Sequence, residues 1–217
     1  MASRNGGKGM AEGTKIKKQD FIELYSMNSS VLRLASEHKE PTYLTSSFSP
    51  LNTFLEGGVR FGDLIEWGLP PGMCGRSLIL SFINESFWTL WALKDGELSI
   101  YPPAWEARGV SLSQIRFAYS KEIIGELRPL FINPFFKLII LDSPDRLNNN
   151  DLAFLARQAR SQGQVIMILR EFFLTPRKGN VWARLRVNCW YDIKTSRFFL
   201  KVVKGLPCRQ TSFPGEP

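Results

Sequence analysis

The chain has 217 residues, which fits one α/β domain with ragged ends, and 44% hydrophobic residues with 16 Phe can fill a core. Its apolar stretches are too short for a membrane span, and the opening MASRNGGKGMAEGTKIKK lacks the apolar run of a secretory signal, so a cytoplasmic location is expected. The net charge of +8 is uneven: five basic residues face one acidic in 1–18, thirteen face sixteen in 19–169, and ten face three in 170–217. A basic field on the last quarter suits a polyanion or an acidic protein surface.

Residues 1–18 read as a disordered basic tail, rich in Gly and Lys with little to bury. Residues 19–44 read as a helix and an extended linker: Phe21, Leu24, Tyr25, Val31, Leu32 and Ala35 recur at helical spacing, and Pro41 ends the pattern. Short apolar strands are expected at Asp63–Trp67, Glu97–Tyr101, Ile115–Ala118, Lys137–Asp142 and Val165–Leu169. Helices are expected at Ser77–Leu93, Lys121–Phe131 and Asp151–Ser161, the last capped from Asn148–Asn150. Such alternation, with strands apolar throughout, indicates a mostly parallel sheet covered by helices on both faces. Arg184–Ile193 and Arg197–Val203, joined by Lys194-Thr195-Ser196, read as an antiparallel hairpin at the sheet edge, and residues 210–217 as a C-terminal tail. Cys74, Cys189 and Cys208 are too far apart for metal-ligand spacing and read as reduced thiols. His38, the one histidine, reads as a solvated loop residue; no metal site and no paired nucleophile and base are expected.

Three ordered segments carry a resemblance. Leu51-Asn52-Thr53-Phe54-Leu55-Glu56-Gly57-Gly58-Val59-Arg60-Phe61-Gly62-Asp63-Leu64-Ile65-Glu66 resembles the glycine-rich approach to the phosphate loop in the RecA family. Trp105-Glu106-Ala107-Arg108-Gly109-Val110 is similar to a segment of that family preceding the next strand. Lys137-Leu138-Ile139-Ile140-Leu141-Asp142-Ser143 looks like its Walker B strand. The match spans most of the chain and implies a RecA-like three-layer core over residues 45–209. The ending Phe198-Phe199-Leu200-Lys201-Val202-Val203-Lys204-Gly205-Leu206-Pro207 is similar to that of the ImuA branch, accessory factors of damage-induced mutagenesis in bacteria. SulA, the SOS cell-division inhibitor, is the other shortened branch.

A working phosphate loop, G-x-x-x-x-G-K-[ST], offers successive backbone N–H groups and an ammonium to phosphate and a hydroxyl to Mg²⁺. Here the segment is Gly68-Leu69-Pro70-Pro71-Gly72-Met73-Cys74-Gly75-Arg76-Ser77. Gly75 and Ser77 stand where the motif wants them. Pro70 replaces the first glycine, Pro70 and Pro71 lack N–H groups, and Arg76 replaces the lysine with a wide planar fork. Gly72, Gly75, Arg76, Ser77 and Asp142 are therefore read as a vestigial nucleotide site. The hydrolytic glutamate that the resemblance calls for is not found after Ser99-Ile100-Tyr101, and Glu106 comes a turn too late. No ATP or Mg²⁺ cofactor, no catalytic residue and no ATPase activity are expected.

In RecA-type proteins the loop after the strand equivalent to Val165–Leu169 contacts single-stranded DNA. Here Arg170, Arg177, Lys178, Arg184 and Arg186 alternate with Phe172, Phe173 and Trp182. Cations for phosphates beside aromatic faces for bases suit a sequence-tolerant strand binder. Packing of the aromatics with the arginines as a solvated face, or a protein interface, remain open at this point. The resemblance thus implies a non-catalytic adaptor in DNA damage tolerance, partnering a translesion polymerase-type protein or RecA itself, with single-stranded DNA as a secondary partner. The alternatives are a SulA-like cell-division inhibitor and an ATP-dependent recombination protein.

Overall fold

The computed structural model describes residues 42–94, 100–176, 179–207 and 210–215. The expected tail 1–18, the helix Phe21–Ala35, His38, Arg177, Lys178 and Cys208 lie outside them. Residues 41–217 form one compact unit.

Among the described residues, eight strands make one sheet. In chain order they are β3 (Leu64–Gly68), β4 (Trp88–Lys94), β5 (Ile115–Ser120), β6 (Phe136–Asp142), β7 (Val165–Arg170), β8 (Leu185–Asp192), β9 (Arg197–Lys204) and β10 (Gln210–Pro214). Their spatial order is β10-β9-β8-β3-β7-β6-β4-β5, parallel from β8 through β5 and antiparallel at β8–β9 and β9–β10. A separate antiparallel pair joins β1 (Tyr43–Leu44) to β2 (Val59–Arg60).

Helices lie on both faces because the inner strands are apolar on both. Within β6, Leu138 and Ile140 pack in one cluster with Leu51 and Phe54 of α1 (Ser49–Phe54), Leu78–Leu80 of α2 (Gly75–Leu80) and Trp105 of α3 (Pro102–Glu106). Ile139 and Leu141 pack in the other with Ile123 of α4 (Ile123–Glu126), Phe131 of α5 (Arg128–Ile132) and Leu152, Phe154 and Leu155 of α6 (Asn149–Gln162). Each fully buried Leu, Ile or Phe contributes about 1.5–3 kcal/mol. In α6 the Asn148 side chain accepts from the N–H groups of Asn150 and Asp151, Asp151 answers to the Asn148 N–H, and Gly163 ends the helix at φ 59°.

The expected α/β class, mostly parallel sheet and C-terminal hairpin are present. Four boundaries differ. The helix expected over Ser77–Leu93 stops at Leu80, and Trp88–Lys94 is a strand. Periodicity cannot tell a buried strand from a buried helix, and the break is an Asx turn in which Ser86 N donates to Asn84 Oδ1 at 2.8 Å. The strand expected at Glu97–Tyr101 is absent where described: Tyr101 caps α3, whose Pro102 and Pro103 open it. The helix expected over Lys121–Phe131 divides at Leu127, since Pro129 has no N–H to continue α4. Gln210–Pro214, expected in the tail, pairs with β9 as the outermost strand, seating Phe213 against Phe198 at 6.2 Å.

The register brings the C-terminal ends of three central strands together. Gly68 of β3 lies opposite Arg170 of β7, and Asp142 of β6 opposite Leu169. Parallel α/β sheets commonly bind ligands at this edge.

Candidate functional site

The connection from β3 to α2 is built by Leu69–Cys74. Leu69 N donates to Arg170 O at 2.7 Å, Met73 N to Pro70 O at 3.3 Å, and Tyr191 N of β8 to Met73 O at 2.9 Å. Pro70 and Pro71 have no donor, so the turn points few N–H groups at any anion. Cys74 opens α2 in the left-handed region at φ 50°, and α2 is only six residues long. Gly75 is needed for close approach: a Cβ there would lie 2.8 Å from Leu69 Cδ2 and 3.1 Å from Cys189 O. Gly72 has φ +74°, with open space around it, so its glycine serves the turn itself.

Arg76 reaches across this edge to Asp142. Its Nε lies 3.0 Å from Oδ1 and 3.1 Å from Oδ2, and its Nη2 lies 2.8 Å from Oδ1. The same Nη2 donates to Ser143 Oγ at 2.8 Å and to Glu171 Oε1 at 2.9 Å. Asp142 is completed by Trp91 Nε1 at 3.2 Å and Ser143 Oγ at 3.1 Å. Burial lowers the Arg76 pKa, but the hydrogen bonds and charges of Asp142 and Glu171 outweigh it and hold the guanidinium above its ordinary value. The two side chains that read in the sequence as parts of a vestigial nucleotide site thus meet each other. Ser77 turns to Arg108 instead, whose Nη1 donates to Ser77 Oγ at 3.0 Å beside a cavity of about 550 Å³ that also reaches Phe48 and Phe198.

The strand following α2 is β4, which ends at Lys94. The carboxylates that follow it in sequence are Asp95 and Glu97, outside the described residues. The strand after α2 thus ends seven residues before Tyr101, so the lack of a carboxylate just after Tyr101 carries no weight on hydrolysis.

The basic segment divides. Arg170 and Arg186 do not face solvent. Arg170 Nε donates to Glu66 Oε1 at 3.0 Å and Arg186 Nε to Glu66 Oε2 at 2.8 Å, with the Arg186 and Glu66 side chains each 5% exposed. Glu66 and Arg186 are register partners on β3 and β8, so their side chains share a face. Arg186 Nη1 also donates to Thr175 O at 3.1 Å, and Gly179 lies so close over the guanidinium that a Cβ there would collide with it. These two arginines neutralise a buried carboxylate, which corrects their assignment to a strand-binding face. Arg184 is exposed and pairs with Asp63 at 3.1 Å. Trp182 is 44% exposed and Phe172 and Phe173 are exposed too, so packing in the core is not their role. Phe173 meets Trp190 edge-on at 5.6 Å, and Trp190 stacks on Phe199 at 5.4 Å, forming an aromatic ladder across the hairpin.

Sequence reasoning missed Glu66, Glu171 and Asn188. A charged residue inside the apolar stretch Leu64–Gly68 was a signal that buried cations must face it. Asn188 gave a weaker one: from the centre of β8 its Oδ1 accepts Leu174 N at 2.6 Å and its Nδ2 donates to Leu174 O at 3.0 Å, pinning the β7–β8 connection to the sheet. Burial drives the Cys189 thiol pKa upward, leaving it an unreactive core residue, while Cys74 is exposed. Among the described residues no helix is long and apolar enough to cross a membrane. Neither a known protein family nor a curated protein matches the chain.

Proposed function

We propose that the chain is a RecA-like adaptor of DNA damage tolerance that works by binding partners and does not turn over ATP. The observation that carries the second half is the closed Arg76–Asp142 fork at the edge where nucleotide would sit. An arriving triphosphate would have to break three charge-assisted contacts and leave Asp142, which has no exposed side-chain surface, without its cation. The strand order supports the RecA-like half: β3, which leads into the loop, lies next to β7, β7 next to the Asp142 strand β6, and that next to β4. The motif order along the chain agrees with this. The ladder of exposed Phe173 with half-buried Trp190 and Phe199 supports a protein partner, because large aromatics that reach the surface are favoured anchors at interfaces.

Affinity capture with the full chain from cells treated with a DNA-damaging agent tests the reading. A translesion polymerase-type protein or RecA should be enriched over untreated cells, and W190A should reduce that recovery. Recovery of the cell-division tubulin homologue alone would replace it with the SulA-like alternative.

A further inference from the structure

At the opposite end of the sheet from Arg76, a groove of about 240 Å³ runs between the start of β3 and the last turns of α6. Arg60 of β2, Arg160 of α6 and Arg184 at the start of β8 line it with Trp182, and the neighbouring depression adds Arg157. These four arginines come from three separate parts of the chain. Tertiary structure therefore assembles them, and no helical i,i+4 pairing with acids accounts for them. The backbone fixes the assembly: Gly62 N donates to Gln164 O at 2.9 Å just beyond α6, and Arg184 N to Leu64 O at 2.9 Å. A Cβ on Gly62 would lie 3.7 Å from Arg160 Cα, so β3 starts directly against the helix.

Among the described residues one carboxylate, Asp63, lies within the groove, 3.1 Å from Arg184 and 4.0 Å from Arg60. Burial raises its pKa even though Arg184, Arg60 and Arg160 all pull it down. Among the described residues three guanidiniums share the groove with one carboxylate, which leaves a net positive charge of two; Arg157 adds another charge from the neighbouring depression, and it and Arg160 are exposed. Like charges gathered in a concave site repel one another unless an anion completes them, and a groove focuses that field onto the anion. Trp182 presents its indole on the same wall, held by the Asn180 Oδ1 that accepts Trp182 N at 2.9 Å and Ala183 N at 3.1 Å. A half-exposed indole among clustered cations offers a base a stacking face while arginines take the flanking phosphates.

We infer that the groove of Arg60, Arg157, Arg160, Arg184 and Trp182 binds single-stranded nucleic acid without sequence preference. The groove keeps Trp182 and Arg184 of the expected strand contact, leaves out the buried Arg170 and Arg186, and adds Arg60, Arg157 and Arg160. It rests on the proposed function only for the claim that the chain meets single strands, and partner capture is read independently of it.

Fluorescence anisotropy of the full chain with labelled oligo(dT) of about 15 nucleotides, titrated across salt, tests it. The intact chain should bind at low salt, with log Kobs falling against log salt by about 0.7 for each phosphate neutralised. R157A/R160A should flatten that slope by about one unit, while K194A/K201A, which removes as much exposed charge from the hairpin, should leave it unchanged. W182A should weaken oligo(dT) about 5- to 100-fold and leave base-free polyphosphate binding unaltered. Unchanged melting temperatures show that each variant is folded. Absence of salt-dependent binding by the intact chain overturns the inference, as does equal loss in R157A/R160A and K194A/K201A. Insensitivity of oligo(dT) binding to W182A overturns it in favour of a simple polyanion surface.

Discussion

A guanidinium and a carboxylate facing one another across a strand edge can either wait for phosphate and metal or satisfy each other, and at Arg76 and Asp142 geometry decides. Three contacts between 2.8 and 3.1 Å hold the pair, and Glu171 and Ser143 take the remaining reach of the fork. Lysine at this position could approach one carboxylate oxygen but could not span both oxygens and Glu171 together. R76K should therefore lower stability by about 1–3 kcal/mol in denaturant titration, because a charge-assisted bond is lost at a buried acid. It should gain no ATP-dependent stabilisation, since Pro70 and Pro71 still supply no donors. A saturable ATP response in R76K would mean that the arginine alone had closed the site. Glu66 follows the same logic deeper in the sheet, where two arginines answer one carboxylate. Neither pairing is visible in sequence, because residues 66, 170 and 186 meet only once the strands are in register.

At the scale of elements, legibility followed how each segment announces its ends. The strands Lys137–Asp142 and Val165–Leu169 stand out as short runs of apolar residues, and α6 is framed by Asn148 and Gly163, so both the helix and its cap were expected. Around Phe82–Leu93, apolar residues are dense enough to fit either period, and the turn at Asn84–Ser86 is marked by no Gly or Pro. That one ambiguity displaced a strand and with it the place to look for a glutamate. The segment from Arg170 to Arg186 shows the converse: read from its composition as one basic face, it has Arg170 and Arg186 drawn inward by Glu66 and Arg184 left at the surface. Asn188→Ala would leave the buried Leu174 N–H and C=O without their partners. Urea denaturation should show a loss of about 2–4 kcal/mol, since each stranded group costs about 1–3. A loss below about 0.5 kcal/mol would show that water takes over the side chain's role.

Across the whole molecule, the two ends of the parallel sheet carry opposite arrangements. At the C-terminal ends of β3, β6 and β7, positive and negative side chains are paired off and the loop has few donors to offer. At the start of β3, arginines outnumber the acid among them. The charge excess of the last quarter, plain in the sequence, overstated what faces solvent, because Arg170 and Arg186 serve Glu66; α6, outside that quarter, supplies Arg157 and Arg160. The α/β architecture was thus readable from alternation, and the location of the basic surface was not, because it depends on which side chains the fold consumes. Thermal unfolding of the full chain with and without millimolar Mg-ATP tests whether Arg76 and Asp142 close the proposed nucleotide site. A ligand at 100 times its Kd would add about 2.7 kcal/mol. The closed site predicts superimposable melts; a saturable rise in Tm that disappears in Ser77→Ala would contradict it.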